Sequence, residues 1–236
     1  MEASRKALNL ADWSAPEWCL PDNTSTKTVD ARGADWRGLQ IGSRDLSQAK
    51  LCRTDLRGAD LSQCVMNEAD LRMAKYDNNT KCPEEFDIRS SGAIGPGAKL
   101  NGAFFNCTDL RGMDLRGAIL MGSYLSGADL SGSILDGVRL AGSDLRCTLL
   151  RGTSCKQTRF GGCQLDYADF RGADLSEADI TGVESIKGAN FSLTTGINTS
   201  DHAALLSRPY EELDCWNALT RQTTRTSLEE GMTAKE

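Results

Sequence analysis

The chain has 236 residues, a formal net charge of −6, 39% hydrophobic residues and 25% charged ones. That length suits one domain or two small ones, and no stretch approaches the ~20 apolar residues that a membrane-crossing helix needs. The nine cysteines form no CxxC pair and are odd in number, which excludes a zinc ribbon, a thioredoxin-type redox motif and a fully paired disulfide framework.

In chain order, residues 1–33 come first. They carry Leu8, Leu10, Trp13, Trp18 and Leu20, apolar residues suited to an N-terminal cap. The start, MEASRKALNLADW, has no long apolar core of the secretory kind, so a reducing, cytoplasmic setting is expected.

Residues 34–76 then fall into steps of five. The series is Trp36, Ile41, Leu46, Leu51, Leu56, Leu61, Met66, Leu71 and Tyr76. A helix repeats near 3.6 and a strand at 2, so a period of five demands a third geometry. The pattern returns over 98–182, where every fifth residue from Leu100 to Ile180 is apolar, 17 positions in all and 12 of them Leu. Two residues before each centre a small side chain recurs, as at Ala59, Ala118 and Ala128; directly before it stands Asp, as at Asp55, Asp114 and Asp129; two after it Gly is common. One large and one small inward residue per five fill a narrow coil, and Gly suits a corner with unusual backbone angles. No such repeat buries its own apolar residue alone, so neighbours must stack. Leu39 and Arg44 stand where a small residue belongs, which predicts a distorted first coil.

Between the blocks, 77–97 reads DNNTKCPEEFDIRSSGAIGPG. Its Pro and Gly content predicts an insertion loop, packed by Phe86 and Ile94. After 182 the five-step frame slips by one residue at Ala189–Phe191. Residues 183–222 are expected to be a C-terminal cap with two short helices, Ser207 capping the second and Pro209 in its first turn. Leu213, Trp216 and Leu219 would share a face. Residues 223–236 read as a polar, disordered tail.

The tandem A-D-L-x-G pattern over Ala34–Tyr76 and Ala98–Gly182 resembles the pentapeptide-repeat family. The resemblance implies an all-β solenoid, a right-handed quadrilateral β-helix with four pentapeptides per coil, here with one insertion loop and a short helical C-terminal cap. Tyr76, Thr80, Pro83, Phe86 and Asp87 are similar to an insertion common in that family, although Cys82 stands where an aromatic is familiar. In some relatives a C-terminal helix pair forms a dimer, so monomer and dimer both stay open. Others present an acidic rod that binds DNA gyrase, and the family occurs in cyanobacterial cytoplasm and in the thylakoid lumen, the alternative compartment after processing.

Catalytic chemistry is not expected. His202 is the one histidine and lies outside the repeats, so His-based triads and metal clusters lack partners. The recurring carboxylates sit beside Arg111, Arg151 and Arg171 and read as a salt-bridged, solvated face. No cofactor or metal is expected. Residues 34–76 hold six acids and seven bases, and 97–182 ten acids and nine bases. A neutral rod imitates DNA poorly, because the duplex carries one charge per ~1.7 Å, and nucleic-acid binding lacks a basic stripe. DNA mimicry that inhibits or protects gyrase is therefore the second reading. The first is a non-enzymatic scaffold that binds an unknown protein partner through the flat faces of the solenoid. Among outward positions, Ile119 and Met121 fall on one face, and Phe104 and Tyr124 on the adjacent one. Together these four are the expected partner patch.

Overall fold

The computed structural model describes residues 28–233. The chain divides into two compact units after Ile94. The N-terminal cap expected over 1–33 lies almost wholly outside the described residues.

Both units follow one local rule, visible at Asp114–Ala118. The Leu115 and Ala118 side chains are buried. Between them the chain turns, with the Ala118 N–H donating to the Leu115 carbonyl at 2.9 Å and Gly117 at φ +67°. A turn closed by that bond with a positive φ at its third residue belongs to type II, which favours Gly there. The Asp114 carboxylate accepts from the Arg116 backbone N–H at 3.1 Å, and from its Nε at 2.9 Å and Nη2 at 2.6 Å. Asp therefore precedes the centre because it closes the turn that follows. Leu115 N–H donates to the Ile134 carbonyl at 2.9 Å and Gly117 N–H to that of Asp136 at 2.9 Å, so the backbone polar groups find their partners in the next tier.

The five-residue period is the core. All 26 residues of the two five-step series are at most 6% exposed. Each tier alone would leave its large residue in water; stacking removes it, at about 1.5–3 kcal/mol per Leu-sized side chain.

In the first unit, parallel bridges join residues twenty apart, such as Asp35 to Asp55 and Asp55 to Lys75. The distortion expected near Leu39 and Arg44 does not break the register, because Gln40 still bridges Asp60 and Asp45 bridges Val65. Arg44 turns its guanidinium back instead, its Nε donating to the Ile41 carbonyl at 3.0 Å. The insertion loop expected at 77–97 is corrected more substantially. Lys81 bridges Asp60 and Ile94 bridges Lys75, so both ends of the segment are coil. Thr80 Oγ1 also donates to the Leu56 carbonyl at 2.9 Å. Only the stretch between them leaves the ladders, through a 3-10 turn at Ile88–Ser90 capped by Asp87. Ile94 is buried and Phe86 half-buried. Pairing at intervals of 21 and then 19 residues accounts for the lost frame.

The second unit has four ladders of five residues. One runs Lys99, Ile119, Arg139, Arg159, Asp179; the next runs Phe104, Tyr124, Asp144, Gln164, Ser185. The repeat block does not stop at 182. Gln164 pairs with Ser185, Asp169 with Asn190 and Asp174 with Thr195, each 21 residues on. One extra residue is absorbed near Glu184, and Ile186 and Phe191 continue the inward series, fully buried. Inside the last tiers Phe170 stacks on Phe191 at 5.2 Å and meets Phe160 edge-on at 5.7 Å.

Beyond Thr195 come α1 (Thr199–Leu206), α2 (Tyr210–Leu213), the two-stranded hairpin β1 (Trp216–Asn217) and β2 (Gln222–Thr223), and α3 (Thr224–Thr233). Ser207 does not cap the second helix: Pro209 stands at the N-cap of α2, which has no side-chain cap, whereas Asn198 accepts from the Asp201 N–H at the start of α1 and Thr223 Oγ1 from the Thr226 N–H at the start of α3. Ser207 ends α1, its N–H donating to Ala203 and Ala204 carbonyls. Leu213 is buried, but Trp216 and Leu219 lie in the hairpin and are exposed, so the three do not share a buried face. The tail expected to be disordered begins with α3, whose Thr224, Ser227 and Leu228 are buried.

This segment supplies side chains to the final tier's unpaired backbone. Ile186 N–H donates to Glu212 Oε2 at 2.9 Å and Phe191 N–H to Ser227 Oγ at 3.1 Å. Asn217 Nδ2 donates to the Gly188 carbonyl at 2.7 Å, Thr224 Oγ1 to that of Ile186 at 3.1 Å, and Arg208 to those of Val183 and Glu184. An open sheet edge is a template for aggregation unless covered; here polar side chains cover it. His202 is buried within this layer, its Nε2 2.9 Å from the Leu228 carbonyl. No helix among the described residues is long and apolar enough to cross a membrane.

Candidate functional site

The four expected patch residues all lie in the second unit, on two neighbouring ladders and the corner between them. Phe104 and Tyr124 are bridge partners, so the fold sets their rings one tier apart. The centroids are 4.8 Å apart and the planes within 2°, matching the spacing of stacked strands. Phe104 is 72% exposed, and Met121 and Tyr124 are 44% exposed. Ile119 is half-buried, bridged on either side by Lys99 and Arg139. Three exposed apolar side chains on one edge of a repeat surface are unusual for a chain whose other outward positions are largely polar.

Many aspartates on the ladders are held by an arginine two residues on, as in Asp144–Arg146 at 2.7 Å and Asp109–Arg111 at 2.7 Å, while Asp45, Asp60, Asp129 and Asp174 accept instead from the backbone N–H of a serine two residues on. Asp169 is the buried extreme. Burial pushes its carboxyl up, yet bonds from Arg171 and Arg151 outweigh that and leave it below the usual carboxylate range. Asp60 is lowered to about 2 by Ser62, its backbone N–H and Lys81. Asp114 is lowered chiefly by Arg116, against its own burial. Carboxylates depressed in the folded state stabilise it above the unfolded pKa of about 4 and lose that contribution as pH falls through the folded value. The midpoint of thermal unfolding, followed by circular dichroism, is therefore expected to stay level down to about pH 4 and to fall between about pH 4 and 2. A midpoint unchanged at pH 2 would remove the clamps from the account of stability.

The cysteines divide by position. Cys155 and Cys163 take inward places, where burial pushes their thiols up to about 12 and about 11. They act as small apolar residues. Cys107 and Cys147 sit exposed at corners, and Cys215 Sγ lies 3.4 Å from the Tyr167 hydroxyl. No cluster of three or more metal-ligating side chains exists among the described residues. Sequence reasoning missed the exposed Val65 and Tyr167 within the repeats and Tyr210 beyond them, and placed Trp216 and Leu219 on a shared face where the structure exposes both; outside the five-step frame nothing in the sequence distinguishes an inward position from an outward one.

A family model described as pentapeptide repeats matches residues 45–75, 97–132, 123–153 and 143–182, in eight copies. No curated protein matches the chain. Among solved structures, a pentapeptide repeat protein from the Arabidopsis thaliana thylakoid lumen is 26% identical, covering 56% of this chain and 87% of its own, with a TM-score of 0.41. QnrB1, a plasmid-mediated fluoroquinolone resistance protein, is 19% identical over 70% of each chain, with a TM-score of 0.38. HetL, involved in heterocyst differentiation regulation in Nostoc sp. strain PCC 7120, is 21% identical over 69% of this chain and 89% of its own, with a TM-score of 0.22. The matched residues are the five-step blocks whose centres fill the coil interior, and the chain belongs to the pentapeptide-repeat family.

Proposed function

We propose that this chain is a non-enzymatic scaffold, a right-handed four-sided coil that binds another protein through the edge formed by Phe104, Met121 and Tyr124 with Ile119. The observation that carries the reading is the stacked, solvent-facing Phe104–Tyr124 pair. Aromatic and Met side chains are enriched among the residues that anchor protein interfaces. The four ladders of the second unit support the quadrilateral cross-section. The Asp–Arg clamps weigh against DNA mimicry, since many of the outward carboxylates already have an arginine partner in their own repeat. Free thiols at exposed Cys107 and Cys147 support a reducing compartment.

Affinity capture from the source organism tests the proposal. Tyr124→Asp is expected to abolish recovery of the partner while shifting the unfolding midpoint by only a few degrees, as surface substitutions cost about 0.5 kcal/mol. A partner recovered equally by wild type and variant would move the interface elsewhere.

A further inference from the structure

The ladder next to the aromatic pair carries two charges that the Asp–Arg pairing seen on other ladders does not account for. On the other ladders a charged bridge position commonly has a partner of opposite sign: an Asp is held by the Arg two residues on, as in Asp114–Arg116 and Asp144–Arg146, and the bridge lysines Lys50, Lys75 and Lys81 each stand across from an Asp, at Asp70, Asp55 and Asp60. On the Lys99–Asp179 ladder the bridge positions themselves are basic at Arg139 and Arg159. The residues two before them are Gly137 and Gln157, and two after them Ala141 and Gly161, so the repeat supplies no carboxylate. Both arginines are exposed, and neither makes an ion pair among the described residues. They bridge directly to one another, a placement of like charges on adjacent strands that costs rather than gains stability. Packing does not explain them, for their side chains lie outside the coil.

Arg139 and Arg159 also line a shallow groove of about 510 Å³ with Gly137, Gln157, Glu177 and Asp179. Gln157 Nε2 already donates to Glu177 at 2.7 Å, and Asp179 follows Arg159 as the last residue of the ladder. The positive stretch is therefore bounded on one side by acids and on the other by Ile119 and the Phe104–Met121–Tyr124 edge. Resting on the scaffold reading above, we infer that the partner presents an extended acidic segment. Its Asp or Glu side chains lie on Arg139 and Arg159, and an aromatic or aliphatic neighbour lies on the Phe104–Tyr124 edge. Guanidinium groups bind carboxylates in a planar, two-pronged geometry, and tiers about 4.8 Å apart place the two forks within reach of one or two carboxylates of an extended chain. A nucleic acid fits less well: its phosphates continue past the two arginines onto Glu177 and Asp179.

The test uses the full chain and two capped synthetic peptides, one glutamate-rich with a central phenylalanine, the other with every glutamate changed to glutamine. A labelled single-stranded oligonucleotide serves as the third probe, and binding is read by fluorescence anisotropy. The glutamate peptide is expected to bind wild type. The double variant Arg139→Glu/Arg159→Glu is expected to weaken it roughly tenfold or more, and added salt to weaken it further. The glutamine peptide is expected to bind weakly and to be indifferent to the arginines. Exposed on the coil, both arginines tolerate replacement, and Arg139→Gln/Arg159→Gln, which adds no repulsion, is expected to weaken binding by less. If the glutamate peptide binds the arginine variants as tightly as wild type but loses Tyr124→Asp, the acidic-segment inference falls and the aromatic edge stands. If Tyr124→Asp has no effect while the arginine variants do, the inference stands and the edge falls. Failure of the glutamate peptide to bind, or tighter binding of the oligonucleotide, overturns the inference.

Discussion

Phe170→Ala is expected to lower the free energy of unfolding by about 3–5 kcal/mol. Phe170 is fully buried between Phe160 and Phe191, edge-on to one and stacked on the other. Truncation removes the ring's burial and leaves a void, because each tier's backbone is fixed by hydrogen bonds to the tiers on both sides. Phe170 N–H donates to the Asn190 carbonyl at 2.8 Å on one side, and Asp169 N–H to the Thr148 carbonyl at 2.9 Å on the other. A coil held in this way cannot collapse onto the gap, which places the site at the costly end of the range. Both ring contacts are lost together, each worth about 0.5–1.5 kcal/mol beyond area. Chemical denaturation followed by circular dichroism measures the change. A loss under about 1 kcal/mol would mean that the tiers repack, contrary to the rigid ladder. Phe170→Leu, which retains most of the volume, is expected to cost less than half as much.

Gly196→Ala is the second large effect, and its reason is backbone geometry. Gly196 has φ +83°, and a Cβ there would stand 2.3 Å from the Ser176 backbone nitrogen and 2.4 Å from its Oγ. Ser176 cannot yield easily: its N–H and its hydroxyl both donate to the Asp174 carboxylate. Left-handed backbone costs an alanine about 1–2 kcal/mol, and the clash adds about 1–3 kcal/mol. Gly142 is the control. Its φ is +70° but a Cβ would meet nothing within 4 Å, so Gly142→Ala is expected to cost only about 1 kcal/mol. Thermal unfolding of both variants side by side separates the contact from the conformation; equal losses would show that Ser176 moves aside.

Repetition made the interior legible. Leu56, Leu115 and Phe160 declare themselves because the same step places a large residue at each, and all are buried. The pairing of Phe104 with Tyr124 was legible for the same reason, because a step of twenty returns to the same face. What escaped was everything that left the frame. One extra residue before Ser185 hid the continuation of the coil to Thr195, although Ile186 and Phe191 keep a spacing of five. The stretch after Tyr76 reads as loop because Pro and Gly dominate it, yet its pairing at Lys81 and Ile94 is set by contacts with the preceding tier. The α3 helix escaped because it buries only Thr224, Ser227 and Leu228 of its first turns, too little apolar surface to mark a periodic face. The role of Asp escaped in part. Its pairing with Arg was visible, but its acceptance of the next turn's N–H, as Asp114 accepts from Arg116, belongs to local geometry that residue types alone do not display.

The twenty-residue return of each ladder also governs how such a chain can change length. Inserting five residues between Tyr124 and Arg139 would advance Arg139 and Arg159 to the neighbouring ladder and part them from Ile119, with every inward position still filled. Inserting twenty would add one whole tier and return each later residue to its own side. The interior is thus kept by edits of a single repeat, whereas the side that a residue faces is kept only by edits of a whole turn.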